Sequence, residues 1–553
     1  MTNRDIIQKQ ERMEGMKKRL LIAALAICMS VSAAGCGKGG QETGKSSAAV
    51  SGVNEFPITQ EKTTLEIFTT EPTGVADIEE NAFTKWYEEK TNIQLKFDIA
   101  KGDVRQAINL KIASNDYGDI FYGFCLSRSE QVSYYNQGVF IDMTDLVNNH
   151  SYYIKNMLEE RPDIKEQMLH TDNKILGLRN IYEDFAQENP YVMWVYKPWM
   201  DKLGLSMPET TEDFYQMLKA FKEKDPNGNG IADEVPLAGR NMWANATALD
   251  TYLLDPFVFQ CSYGVYNENG KAVFAWDKPE FKEGIRFMKK LYQEGLMHMD
   301  SFIMDRARVV ALGENEIPIL GCAPGKWTSQ FTAGGSSKRA EEYVALPPLK
   351  GPNGLRQTPY ISIDAGCSDF NITSTCKNPE AAIKWADWLY SDEAYLKARA
   401  AAGTREAKEG ELGLDGTQAL YAVDPVEALP TGQIQNEIWG NFALGYVPVE
   451  HTYKVAFNTD MKKTNENAYN AYNLYQNYSI KKNLDDIAVP AEECDEYLDL
   501  RTAITNEVQA ALTSFVIGER SLDDEWEAYL EELKNSNVDR YVEIFQNYLD
   551  SLK

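Results

Sequence analysis

The chain has 553 residues, 43% hydrophobic and 25% charged, with 83 acidic against 56 basic side chains and a formal net charge of -27. That length exceeds one compact core and predicts about two to four domain-sized units. The acidic excess would repel nucleic-acid phosphates and anionic lipid, which makes both poor partners for the folded body and leaves neutral ligands as the expectation.

Lys17, Lys18 and Arg19 precede the apolar run LLIAALAICMSVSAAG and then Cys36. Only 16 residues separate Arg19 from Cys36, short of the roughly 20 that a bilayer-crossing helix needs, so residues 1–35 read as a secretory signal. Met16 stands directly before the basic cluster and offers an alternative start, with residues 1–15 as an upstream extension. Ala33, Ala34, Gly35 and Cys36 resemble a bacterial lipobox, with Ala33 where Leu is usual. The resemblance implies that Cys36 is lipidated and becomes the mature N-terminus. The alternative is a plain secretory signal with an incidental cysteine. The Gly- and Ser-rich stretch that follows cannot bury a core, so residues 36–62 are expected to form a flexible linker.

Six cysteines remain besides Cys28 and Cys36. An exported chain permits disulfides, and six cysteines allow fifteen pairings that spacing does not choose between. Without a CxxC or Cys/His cluster they read mainly as small buried residues.

Strand and helix patterns alternate at the start of the body. TTLEIFTT (63–70) reads as a strand, Ile78, Ala82 and Trp86 as a helical stripe, and Ile93, Leu95, Phe97 and Ile99 alternate as a half-buried strand should. Val104, Ile108 and Ile112 form a second stripe, and DIFYGF (119–124) a buried strand; the succession predicts a helix-wound parallel sheet. A second unit opens near YVMWVYKPWMDKLGL, where Thr210 and Asp213 have cap spacing before a helix bearing Phe214, Met217, Leu218 and Phe221. Ala382, Trp385, Ala386 and Leu389 mark a later helix, and Ser521 is placed to cap one that carries Leu522, Trp526, Tyr529, Leu530 and Leu533.

That helix after Thr210 runs into KDPNGNGIADEVPL. Asp225, Asn227, Asn229, Gly230 and Ile231 occupy the places that an EF-hand loop gives to oxygen ligands 1, 3 and 5, the turn glycine and the position-7 carbonyl. Position 12, the bidentate Glu of sensor loops, is Pro236, so Asp233 and Glu234 would have to close the sphere. Six oxygen donors suit calcium in a structural role. A Pro-Asn-Gly turn that solvates its own polar side chains is the simpler alternative.

No catalytic motif stands out, and the carboxylates are too numerous for a glycosidase pair to be picked out or excluded. There is no GxSxG, HExxH or Walker loop, since GCAPGK has three residues between its glycines where four are needed, and the four histidines have no metal-pair spacing. The positive signal is aromatic. Pyranose C–H faces stack on aromatic rings while carboxylates and amides take the hydroxyls, so the 10 Trp and 30 Tyr make a sugar-binding surface the expectation. Trp86, Trp385 and Trp526 lie on helical stripes and read as core. Trp243, Trp327 and Trp439 lie instead in Gly-rich or polar segments and are the ring candidates for a ligand cleft, with Tyr360 and Asp364, in TPYISIDAGC, as a further ring and hydroxyl acceptor.

With the lipobox-like segment, the strand and helix order and KPWMDKLGLSMPETTEDFYQMLKAFKEKDPNGNGIADEVPL taken together, the chain resembles bacterial extracellular solute-binding proteins of family 1, in particular lipoproteins that deliver oligosaccharides to ABC permeases. AAGTREAKEG departs from a turn common among them, keeping only Gly403. The resemblance implies an α/β, two-lobed, type II periplasmic-binding-protein-like fold with the ligand cleft between lobes. Residues 63–188 plus about 359–410 would form lobe 1, and 189–358 plus about 411–553 lobe 2 with C-terminal helices. It also implies a structural calcium held by Asp225, Asn227, Asn229, Ile231, Asp233 and Glu234, and a monomer on the extracytoplasmic face of the membrane, held by its lipid alone, that binds without covalent chemistry. An oligopeptide-binding lipoprotein and a secreted glycoside hydrolase are the rival readings.

Overall fold

The computed structural model describes residues 49–170, 173–240, 248–334, 337–361, 368–427, 433–484, 487 and 489–552. In lobe 1, β1 (Thr63–Thr69), α1 (Ala82–Thr91), β2 (Ile93–Ile99), α2 (Val104–Ser114) and β3 (Ile120–Leu126) follow one another as the periodicity predicts, and α3 (Arg128–Asn136) comes next. β1 lies parallel between β2 and β3. The helix starts are written locally. Asn81 accepts from the Phe83 N–H, Asp103 from that of Gln106, and Ser127 and Glu130 form a reciprocal capping box, each satisfying amides that a helix leaves open. The Asn81 cap also corrects the first stripe: α1 begins at Ala82, so Ile78 is buried ahead of the helix rather than on it.

Lobe 2 is built from β4 (Met193–Tyr196), α4 (Thr211–Glu223), β5 (Val235–Leu237), α5 (Pro279–Gln293), β6 (Leu320–Pro324) and β7 (Tyr343–Ala345). Its sheet runs β7-β4-β6-β5. The Thr210–Asp213 capping box forms as expected, and Phe214, Met217, Leu218 and Phe221 are all buried. The chain then returns to lobe 1, where β8 (Ser368–Ile372) pairs antiparallel with β3 and α6 (Pro379–Trp388) packs behind the sheet. Helices α7 (Cys494–Ile517), α8 (Trp526–Asn535) and α9 (Val538–Ser551) close lobe 2. Ser521 does not cap α8. Its hydroxyl holds a turn through the Asp524 N–H, and the helix begins only at Trp526.

Besides smaller clusters around Phe68, Phe121 and Tyr134 and around Ala422 and Ala456, two large hydrophobic cores result. One gathers residues from Ile58 to Ile181 with Phe370 to Ala398, and the other Phe185 to Leu349 with the C-terminal helices. Two strand pairings mark where the chain passes between them. Ile181–Tyr182 pairs in parallel with Tyr446–Val447, and Thr358–Pro359 with Ser479–Ile480. The Ile361 N–H donates to the Glu188 carbonyl at 3.0 Å, so the outgoing and returning segments are also joined to each other.

Two expectations need correction. Residues 49–62 are not a free linker: Ile58 is buried in the first core, its N–H donates to the Thr91 carbonyl, and Ser51 accepts from Lys384. The segment around Trp439, assigned from the sequence to lobe 2, packs with the first core. Among the described cysteines, Cys261, Cys322 and Cys494 are buried and Cys376 half-buried, all four outside disulfides, whereas Cys125 is disulfide-bonded.

Candidate functional site: a cleft between the two cores

A cavity of about 720 Å³ lies between the two cores. The lobe 1 wall forms where β3 gives way to α3. Cys125 adopts a left-handed backbone, φ 46°, which turns the chain so that Ser127, Arg128, Ser129 and Glu130 line the space. The Ser127–Glu130 box fixes that turn, with Glu130 accepting from the Ser127 N–H at 2.9 Å and from its hydroxyl at 2.8 Å. Arg105 reaches over from α2 and pairs with Glu130 at 2.7 Å. Arg128 donates from Nη2 to the Leu169 carbonyl.

The lobe 2 wall is aromatic and cationic. Tyr263, Tyr497 and Tyr548 line it together with Arg501, whose guanidinium carbon stands 4.8 Å from the Tyr263 ring and 5.5 Å from the Tyr497 ring. Tyr497 and Arg501 are one turn apart on α7, so helical spacing places them side by side. Gln187 and Ile361, from the crossing segments, line the junction. Such a surface offers ring faces for stacking and hydroxyl and guanidinium donors for polar groups, the chemistry of a binding cleft.

The sequence-predicted ring positions fare differently. Trp327 is half-buried and set edge-on to Phe185 at 5.5 Å, and Phe185 in turn contacts Tyr469 and Tyr472. Its neighbour Lys326 binds Asp184 at 2.6 Å and donates to Gln187 at 2.9 Å, which ties this cluster to a residue lining the cavity. Tyr360 is half-buried beside Ile361, with Lys481 4.2 Å over its ring and Glu188 3.5 Å from its hydroxyl. Burial, then the Glu188 charge, push its phenol well up. Trp439 is a correction. It is 1% exposed, its indole N–H donates to Thr84 at 2.7 Å, and Phe83, Tyr122, Trp385 and Phe442 surround it. A ring so enclosed is core. Trp243, Asp364 and Cys36 lie outside the described residues.

In the 225–234 loop the polar groups bond largely to one another. Asp225 accepts from the N–H groups of Gly228, Asn229 and Gly230, and Asn229 from that of Ile231 at 2.7 Å. Asp233 accepts from the side-chain amides of Asn227 and Asn229. One carboxylate oxygen of Glu234 is buried with no hydrogen-bond partner. Burial raises the Glu234 carboxyl, and the charges of Asp225 and Asp233 add to that. An orphaned buried carboxylate oxygen beside two further carboxylates is what a bound cation would relieve. Among the described residues, however, no group of three or more His, Cys, Asp or Glu side chains is gathered closely enough to hold an ion.

Sequence reasoning did not find Arg128, Arg501, Tyr263, Tyr497 or Tyr548. The available signal for Arg501 and Tyr497 was their four-residue spacing on a helix. For the others no local pattern separates cleft from surface.

Residues 70–396 match the family described as bacterial extracellular solute-binding protein. The fructooligosaccharide ABC transporter substrate-binding protein FusA of Streptococcus pneumoniae is 26% identical over 517 residues, which cover 90% of this chain and 91% of FusA. Lipoprotein LipO of Bacillus subtilis is 35% identical over 178 residues, 30% of this chain and 34% of LipO. The solved structure of S. pneumoniae FusA as an EF-hand mutant in complex with fructo-nystose aligns with a TM-score of 0.70 at 22% identity, covering 88% of this chain and 99% of that one. The likeness in structure establishes the two-lobed fold.

Proposed function

From the premise that the chain belongs to the bacterial extracellular solute-binding proteins, we propose that it is an extracytoplasmic lipoprotein, anchored through Cys36, that takes an oligosaccharide between its lobes and delivers it to an ABC permease. The observation that carries this reading is the 720 Å³ cavity between two separate cores. A ligand there touches both lobes at once, so it favours whichever lobe arrangement lets it do so, and a permease that recognises that arrangement reads occupancy. The relatives named as sugar-transport subunits favour an oligosaccharide over a peptide. No covalent step is part of the reading, and the protein acts as a monomer.

Tyr263, Tyr497 and Tyr548 would supply stacking faces, with Trp327 and Tyr360 at the junction and Trp243 and Asp364 as further contacts. Calcium would be structural, held by Asp225, Asn227, Asn229, the Ile231 carbonyl, Asp233 and Glu234. It would supply positive charge that neutralises the three carboxylates and fixes the end of α4. A thermal-shift screen of the purified chain over glycans and peptides tests the whole reading. A ligand at 100 times its Kd adds about 2.7 kcal/mol of stability, and recovery of the glycan intact separates carriage from hydrolysis. Stabilisation by peptides alone, or cleavage of the glycan, would sink it.

A further inference from the structure

The cleft inverts the sign of the molecule. Its lining carries Arg105, Arg128 and Arg501 against Glu130 and Glu166 in a chain of net charge -27. Arg105 and Glu130 neutralise each other at 2.7 Å. Among the described lining residues, that leaves two arginines with Glu166, which is solvent-exposed, as the one further carboxylate. Arg128 is 8% exposed, and its Nε is buried with no hydrogen-bond partner; its Nη2 goes to a backbone carbonyl, which brings no counter-charge. Arg501 rests on two tyrosine rings. Neither makes an ion pair among the described residues.

A buried guanidinium without a carboxylate is costly, and an acidic chain has carboxylates in excess with which to pair it. Arg128 is such a group, and the half-exposed Arg501 faces the same cavity from the other lobe. A sugar hydroxyl could accept from either but would leave the charge uncompensated. A carboxylate offsets it and accepts two N–H bonds from one planar fork. We propose, resting on the reading of the cleft as an oligosaccharide site, that it selects a hexuronate-bearing oligosaccharide, with Arg128 and Arg501 as the specificity-determining side chains on opposite lobes.

Calorimetric titration of the purified full chain with oligomers of galacturonate, mannuronate and glucuronate, each beside its carboxyl-reduced neutral counterpart, tests this. At least one uronate should bind at least about tenfold more tightly than its neutral counterpart, as charge-assisted hydrogen bonds are roughly twice as strong as neutral ones. That preference should shrink with added salt, while neutral affinity should not move. Arg128→Gln and Arg501→Gln should each reduce the preference to below about threefold, because the neutral amide keeps donors but removes the charge. Arg501 is half-exposed, so its variant stays informative if Arg128→Gln fails to fold. If a neutral counterpart binds as tightly as its uronate, or the preference survives in every variant that folds, the proposal is overturned while the oligosaccharide reading stands. If no oligosaccharide binds, acidic or neutral, both fall.

Discussion

Trp439 and Trp327 show how two similar sequence contexts diverge. Both sit in short polar segments. Trp439 is nevertheless sealed among rings of lobe 1, because the chain around it is stitched down: Asn436 accepts from the Asp77 N–H, and Asn81 donates to the Ile438 carbonyl. Those partners are more than 350 residues apart, and no local pattern encodes them. Trp439→Ala is expected to cost about 3 to 5 kcal/mol of stability and to leave ligand affinity per folded molecule unchanged. Trp327→Ala should do the reverse, weakening oligosaccharide binding about 5- to 30-fold if a stacked ring contributes about 1 to 2 kcal/mol. Melting curves paired with calorimetry on both variants check this; equal losses of stability would make Trp327 core as well. Asp387 gives a prediction in pH. Burial raises its carboxyl to about 6 against the N–H donors of Ile154, Tyr152 and Tyr153. The folded state therefore holds a proton that the unfolded state, near 3.8, has already released. The stabilisation is full below the unfolded value and is lost as pH rises through 6, amounting to about 3 kcal/mol across the window. Urea denaturation at pH 4 to 7 should show this fall, and Asp387→Asn should flatten it.

At the scale of elements, what the sequence made legible was whatever a few neighbouring residues decide. The alternation of Ile93 and Leu95, the Thr210–Asp213 box and the buried face of α4 all appear where their spacing puts them. Boundaries were misplaced where a cap cut into a stripe, as at Asn81, or where a turn stood in for the expected cap, as at Ser521. The cleft was legible only as a class of place, since its wall is assembled from α2, α3, α7, α9, the segment at Tyr263 and two crossing segments that meet through the fold. The 225–234 loop stands between these cases: its candidate donors are local and bond to one another, and an ion is a matter of chemistry beyond the chain. If calcium fills it, chelation should lower the melting temperature, because three carboxylates near one another then repel and Glu234 loses its partner. Asp225→Ala should melt at the lower temperature with or without chelator. Calorimetric scans with calcium added back supply the check, and identical melting of the calcium-loaded and chelated protein would refute a bound ion.

For the molecule as a whole, charge and attachment make opposite demands. Cleavage before Cys36 would remove six basic and three acidic side chains and take the net charge from -27 to -30. A body that acidic is repelled by anionic headgroups, so it gains no membrane affinity from its own surface, and among the described residues no helix is long and apolar enough to cross a membrane. In the proposed reading, retention near a permease comes from the lipid on Cys36. A diacylglyceryl group anchors stably where a single chain would not, at about 0.8 kcal/mol per buried methylene. Attachment held by acyl chains should also resist high salt and alkaline washing, which strip proteins bound by charge. Cys36→Ser is accordingly expected to accumulate as uncut precursor or to leave the membrane for the medium, with the folded body and its ligand affinity intact. Detergent partitioning and the mass of the N-terminal peptide read the result. A variant that is cut and partitions like the parent protein would remove Cys36 from the anchor and leave the retention of so acidic a body to some other contact.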